Sequence, residues 1–101
     1  RELMYTGRVV GGEEAARIGL VTRLADDPRA EALALARTIA GHSPQAIRAA
    51  KALCAEAPEL DIAAALRRET ELQLGLLGSP NQLEAVQAAM TRRAPSFTDP
   101  E

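Results

Sequence analysis

Apolar residues recur along this chain at helical spacing, and Gly, Pro, Ser and Asp break the runs where helices begin or end. Ile47, Ala50, Cys54 and Ala57, with Leu53 alongside, fall on one face of a helix that Ser43 caps and Pro58 ends, with Pro44 at the favoured first position. Asp61 opens a longer helix carrying Ile62, Ala65, Leu66, Leu72 and Leu76. Leu74 and Leu77 widen that stripe until the far side is apolar too. An exposed helix needs one apolar stripe, so the surplus predicts a second packing partner. Gly78 closes this helix, and Ser79-Pro80-Asn81-Gln82 reads as a capping box that starts the last one. Leu83, Val86 and Met90 are expected on its inner face, until Arg92 and Arg93 meet the negative end and Pro95 stops it.

The first third of the chain is more broken. Glu2 to Tyr5 looks like the last turn of a helix, with Gly7 as its left-handed cap, and a helix that starts at its final turn is expected to be cut from something longer. Gly12 can serve as a weak N-cap, Glu13 and Glu14 suit the positive first turn, Arg17 the last, and Gly19 stops the helix. Leu20 to Leu24 is a short apolar strand candidate. Asp27-Pro28 then turns the chain into a helix over about Ala30 to Ala40, closed by Gly41. The tail from Ser96 to Glu101 is expected to be loosely held unless Phe97 docks. The resulting fold class is mainly α, with at most a short strand near Leu20 to Leu24.

Composition narrows the function classes. At 101 residues the chain is one domain at most, and a domain of this size buries only about 60–70% of its unfolded surface. Hydrophobic residues make up 47% but aromatics only 2%, so the apolar content is largely Ala and Leu, which favours helices. A net charge of −2 gives no footprint for nucleic acid or an anionic membrane, and neither is an expected partner. The single cysteine, Cys54, excludes an intrachain disulfide and fits a reducing compartment. No apolar run approaches the roughly 18–20 residues of a membrane span and no signal-peptide pattern opens the chain, so a cytoplasmic location is expected.

Little chemistry can be assembled from these side chains. His42 is the sole histidine, beside a helix end and a helix start, and reads as a surface or capping residue; no metal cluster or Ser-His-Asp arrangement can be built around it. Cys54, on an apolar face, reads as a small core residue. Gly7, Gly11 and Gly12 lack the Gly-Lys-Ser/Thr ending of a phosphate loop and read as caps and turns. Glu13 and Glu14 read as first-turn charges and Glu84 as solvated. Glu69 interrupts the apolar stripe near Leu66 and Leu72, and is expected in a structural ion pair with a neighbouring helix or with Arg67 or Arg68 of another subunit.

An ordered series of segments carries a resemblance. Thr6-Gly7-Arg8, the Glu13-Glu14-Ala15-Ala16 helix and Gly19-Leu20-Val21 come first. An Ala/Leu helix from Arg29 to Gly41 follows, and then Ser43-Pro44-Gln45-Ala46-Ile47 leading to Ala50-Lys51. A long helix, a loop, and a last helix from Gln82 to Arg93 close in Ala94-Pro95-Ser96-Phe97. Almost end to end, this resembles the C-terminal segment of the enoyl-CoA hydratase/isomerase (crotonase) superfamily. The resemblance implies that residues 1–101 are the C-terminal helical (trimerisation) domain of a crotonase-like α/β fold, a fragment without the N-terminal catalytic core.

The family polarises a thioester carbonyl with two backbone N–H donors, and many of its hydratases add a pair of carboxylates. Those groups lie upstream of the matched segment, so no catalytic residue is expected here. Arg92 aligns with a basic position, and Phe97 with an aromatic one, that in the family approach the adenine end of coenzyme A and the acyl channel, often in a neighbouring subunit. Basic residues also suit any helix C-terminus, so capping is the alternative for Arg92. Ala85 stands where the family often has Gly and Ala89 where it often has Phe, which thins the expected wall. The resemblance further implies an acyl-CoA substrate, no cofactor beyond the coenzyme A thioester, no metal, and a homo-oligomer, trimer or hexamer. The alternative is a stand-alone helical oligomerisation or interaction module with no catalytic task.

Overall fold

A computed structural model of the chain describes residues 1–100. Its helices are α1 (Glu2–Thr6), α2 (Gly12–Arg17), α3 (Pro28–Ala40), α4 (Pro44–Glu56), α5 (Ile62–Leu76) and α6 (Pro80–Thr91), with one 3-10 turn at Ala57–Glu59. There is no strand among the described residues, and the chain divides into two compact units, one ending at Leu35 and the other beginning at Ala36.

In the first unit, α1 ends as its sequence requires. Gly7 takes the left-handed conformation at φ 60°, and its N–H donates to the Leu3 carbonyl at 3.0 Å. Arg8 then grips both carboxylate oxygens of Glu14, at 3.1 and 2.9 Å, which fixes the turn into α2. The N-cap of α2 is Gly11 rather than Gly12. Gly12 is already helical, and a Cβ there would stand 3.1 Å from Leu24 Cδ2. At the other end Gly19, at φ 74°, donates to Ala16 O while Leu20 donates to Ala15 O at 2.8 Å, the paired bonds of a Schellman stop.

That stop explains why Leu20 to Leu24 forms bends instead of the expected strand. The Leu20 and Val21 amides both turn back to Ala15 O, at 2.8 and 3.3 Å, so they are spent on the helix end, and no neighbouring strand is present among the described residues to pair with the rest. Asp27 Oδ1 accepts from the Ala30 amide at 3.0 Å, which starts α3 at Pro28, two residues earlier than its apolar pattern indicates.

In the second unit the caps follow the sequence. Ser43 Oγ accepts from Ala46 N at 3.5 Å, Asp61 Oδ1 from Ala64 N at 2.7 Å, and Ser79 Oγ from Gln82 N at 3.2 Å. Gln82 returns to the amide of Gly78, not of Ser79, so the capping box closes one residue early. α4 packs on α5, and Arg68 of α5 bridges to Glu56 at the end of α4 at 2.6 and 3.1 Å. Opposite Arg68, Glu56 is held below the usual carboxylate range by those hydrogen bonds.

The helix faces depart from expectation in two places. On α4 the half-buried side runs through Ala46, Ala49, Leu53 and Glu56, leaving Ala50 and Cys54 exposed, so Cys54 is not a core residue. On α6 the packed side carries Asn81 and Ala88, while Leu83, Val86 and Met90 face solvent, Met90 at 80% exposure. The reason is the tail, which lies along the polar and small side of α6: the Ser96 and Thr98 amides donate to Glu84 and Asn81, and Thr98 O accepts from Asn81. Glu69 is exposed, and among the described residues it forms no ion pair; the neighbouring cation, Arg68, is taken by Glu56 and, at 3.5 Å, Glu71. The surplus stripe of α5 stays open to water, with Ile62 82% exposed and Leu66, Leu74 and Leu77 also exposed.

Candidate functional site

Within the second unit, the last turn of α3, the first turns of α4 and the C-terminal tail enclose a groove of about 560 Å³. Its apolar lining includes Ile39, Ala40, Pro44, Ile47 and Phe97, and its polar members are His42, Arg48 and Asp99. The local folding is set by Gly41 and Ser43. Gly41 ends α3 by donating to Arg37 O and Thr38 O, and two residues later Ser43 opens α4, so Ile39 and Ile47 come to line one hollow.

Phe97 is half-buried in this groove, so the tail is docked rather than loose. It is held on both sides. Glu84 of α6 accepts from both terminal nitrogens of Arg93, at 2.5 and 2.8 Å, and from the Ser96 amide at 2.7 Å. Hydrogen bonds from the Arg93 guanidinium, then from the Ser96 N–H, push the Glu84 carboxyl down to about 2. Glu84 is thus a structural anchor with a 20% exposed side chain, and not the solvated carboxylate its position suggests. On the far side Asn81 takes both backbone groups of Thr98: its Nδ2 donates to Thr98 O at 2.7 Å and its Oδ1 accepts from Thr98 N at 3.0 Å. Arg48 and Asp99 close the end at 2.6 Å, an exposed pair that contributes little on its own.

Sequence reasoning misses Asn81. A signal exists: Asn81, Ala85 and Ala88 share one face at helical spacing, and a polar side chain on a small-residue face asks for a buried partner. That partner lies 17 residues away, which no local pattern reveals.

The two positions singled out for coenzyme A are not brought into one hollow. Phe97 lines the groove, whereas Arg92 sits outside it at the exposed end of α6, in the left-handed region at φ 54°. Among the described residues Arg92 has no carboxylate partner, and the adjacent Arg93 is the one that takes Glu84. Neither a hydroxyl nor a carboxylate is hydrogen-bonded to the His42 ring among the described residues, so the groove presents binding surface and no nucleophile with a base. Among the described residues, no group of three or more His, Cys, Asp or Glu side chains is arranged to hold a metal ion, and no helix is long and apolar enough to cross a membrane.

Gly7 and Gly11 act as the caps their positions suggest. In the first unit a second hollow of about 360 Å³ lies between Gly12, Leu24, Pro28 and Leu35. Its lining is largely apolar.

No protein-family model matches the chain. It is 39% identical over 99 residues to a probable enoyl-CoA hydratase of Mycobacterium leprae, covering 96% of this chain and 38% of that protein. It is 32% identical over 103 residues to the mitochondrial enoyl-CoA hydratase domain-containing protein 2 of Mus musculus, covering 96% and 35% respectively. Among solved structures, an enoyl-CoA hydratase from Bacillus anthracis superposes with a TM-score of 0.90 at 31% identity, over 95% of this chain and 38% of that one. The chain therefore spans less than two fifths of the length of these relatives, and the matched region is their C-terminal part.

Proposed function

The chain belongs to the enoyl-CoA hydratase/isomerase (crotonase) superfamily, as its C-terminal segment, and from that premise we propose that it covers the acyl-CoA pocket and drives self-association of an enzyme that hydrates or isomerises enoyl-CoA thioesters. The observation that carries this reading is the exposed apolar surface. Hydrophobic residues are 47% of the chain, yet Ala15 and Ala88 are the only buried ones among the described residues. Each large apolar side chain removed from water contributes about 1.5–3 kcal/mol, so the open faces of α5 and α6 favour a covered state. A catalytic region preceding residue 1 and further copies of the chain supply that cover, in a trimer or a pair of trimers.

Within that assembly the division of labour follows from the side chains. Two backbone N–H donors and the carboxylates that move water and the α-proton come from the preceding region. This segment contributes binding surface. The Arg92 guanidinium, which has no carboxylate partner among the described residues, meets a phosphate or the adenine of coenzyme A, and the Phe97 ring walls the acyl channel. The enzyme works in the cytoplasm, in fatty-acid or related acyl-CoA metabolism, with no cofactor beyond its thioester substrate.

The test is hydration of crotonyl-CoA by two proteins: the 101-residue chain alone, and the chain preceded by the sequence encoded upstream of it. The expected result is turnover by the longer protein and none by the shorter. Salt-resistant hydration by the 101-residue chain, or inactivity of the folded longer protein on every enoyl-CoA, contradicts the proposal; self-association without activity in both favours a helical interaction module.

A further inference from the structure

We infer that Asn81 is a positioning residue, whose grip on the Thr98 backbone fixes Phe97 in the groove and thereby sets affinity for the acyl-CoA substrate. The inference rests on the reading of Phe97 as a wall of the acyl channel. Asn81 is 3% exposed, in the first turn of α6. Its amide nitrogen donates to Thr98 O at 2.7 Å and to Gln45 Oε1 at 3.3 Å, and its oxygen accepts from Thr98 N at 3.0 Å and Thr98 Oγ1 at 3.5 Å. One buried side chain therefore satisfies the donor and the acceptor of a single tail residue, as a neighbouring strand would. Leaving such an amide buried without partners is costly, so the pairing is determinate in geometry.

Packing alone does not locate the Phe97 ring. With Phe97 in its lining the groove still leaves about 560 Å³ empty, within the range of about 300–1,000 Å³ that accommodates a small organic ligand, so the neighbouring side chains do not close around the ring. What removes that freedom is the backbone on either side: the Ser96 amide is tied to Glu84 at 2.7 Å, and the Thr98 amide to Asn81 at 3.0 Å. Both anchors stand on α6, so the ring inherits its place from that helix. Of the two, the Asn81 grip is the more selective, because it reads a donor and an acceptor together.

The test uses the longer protein, with kcat and KM measured on a short and a long enoyl-CoA for wild type, Asn81→Ala, Phe97→Ala and the double variant. Asn81→Ala is expected to raise KM about 5- to 10-fold with little change in kcat, and to add nothing once Phe97 is gone. Because Asn81 is buried, Thr98→Pro serves as the second variant: it deletes the exposed partner's N–H, leaves Asn81 in place, and is expected to reproduce the rise in KM. If Phe97→Ala raises KM while Asn81→Ala and Thr98→Pro leave it unchanged, or if the Asn81 and Phe97 effects simply add, the positioning role is overturned and the reading of Phe97 stands. An unchanged KM in Phe97→Ala removes both.

Discussion

Glu84, in the second turn of α6, and Arg92, at its C-terminal cap, do different work. Glu84 holds the tail, and its carboxyl is lowered to about 2 by the Arg93 guanidinium and the Ser96 N–H. A folded-state value below the ordinary 4.5 means that the unfolded chain takes up the proton more readily. Its contribution to stability is thus complete above about pH 5 and is lost as pH falls towards 2. Glu84→Gln is expected to lower the thermal midpoint at pH 7, with the gap to wild type shrinking as pH falls from 5 to 2; a gap that stays constant over that range would show that the ion pair does not hold the tail.

Arg92 occupies the left-handed position of a Schellman stop, with Arg92 N donating to Ala89 O at 3.2 Å and Arg93 N to Ala88 O at 3.0 Å. A glycine would sit there without the cost of a Cβ, about 1–2 kcal/mol. Arg92→Gly is therefore expected to raise stability by about 1 kcal/mol in a urea titration while weakening coenzyme A binding measured by calorimetry. A stable variant that binds coenzyme A as well as wild type would reduce Arg92 to a helix terminus.

At the scale of the elements, the caps carry the boundaries. Asp61→Ala and Ser79→Ala each remove the acceptor for an N-terminal helix amide, at 2.7 and 3.2 Å, and each is expected to cost about 1 kcal/mol by denaturant unfolding. Losses below about 0.3 kcal/mol would mean that water replaces the cap freely. These ends were legible in the sequence because a cap is a local event: Ser43-Pro44 and Ser79-Pro80 need only their own first turn, and Gly7, Gly19 and Gly78 mark positive φ wherever they fall. The faces were less legible. Leu83, Val86 and Met90 have the spacing of an inner stripe, yet α6 turns Asn81 and Ala88 inward because the tail bonds to that side. The same long-range contact hid the docking of Thr98. The apolar run after Gly19 failed as a strand because its first two amides finish α2.

At the scale of the whole chain, fold class and family were both readable, the first from Ala/Leu-rich helical periodicity and the second from the order of segments between Thr6 and Phe97. The groove was readable only in part: the tail was expected to be loose unless Phe97 docked, and Arg48, Asp99 and Ile39 meet Phe97 through chain reversals that no pattern specifies. The exposed stripes are the feature with the widest consequence. If the α6 stripe is an interface, Val86→Glu and Met90→Glu in the longer protein place charges where apolar contact is required, and both variants are expected to dissociate it while each protomer stays helical by circular dichroism.

The most direct measurement of the central claim is the native mass of the longer protein at micromolar concentration. A mass of three or six protomers is the expected result, since the open faces of α5 and α6 then have their cover. A folded, monodisperse monomer would contradict the account, because Ile62, Leu66, Leu74 and Met90 would then be covered, if at all, without a second copy.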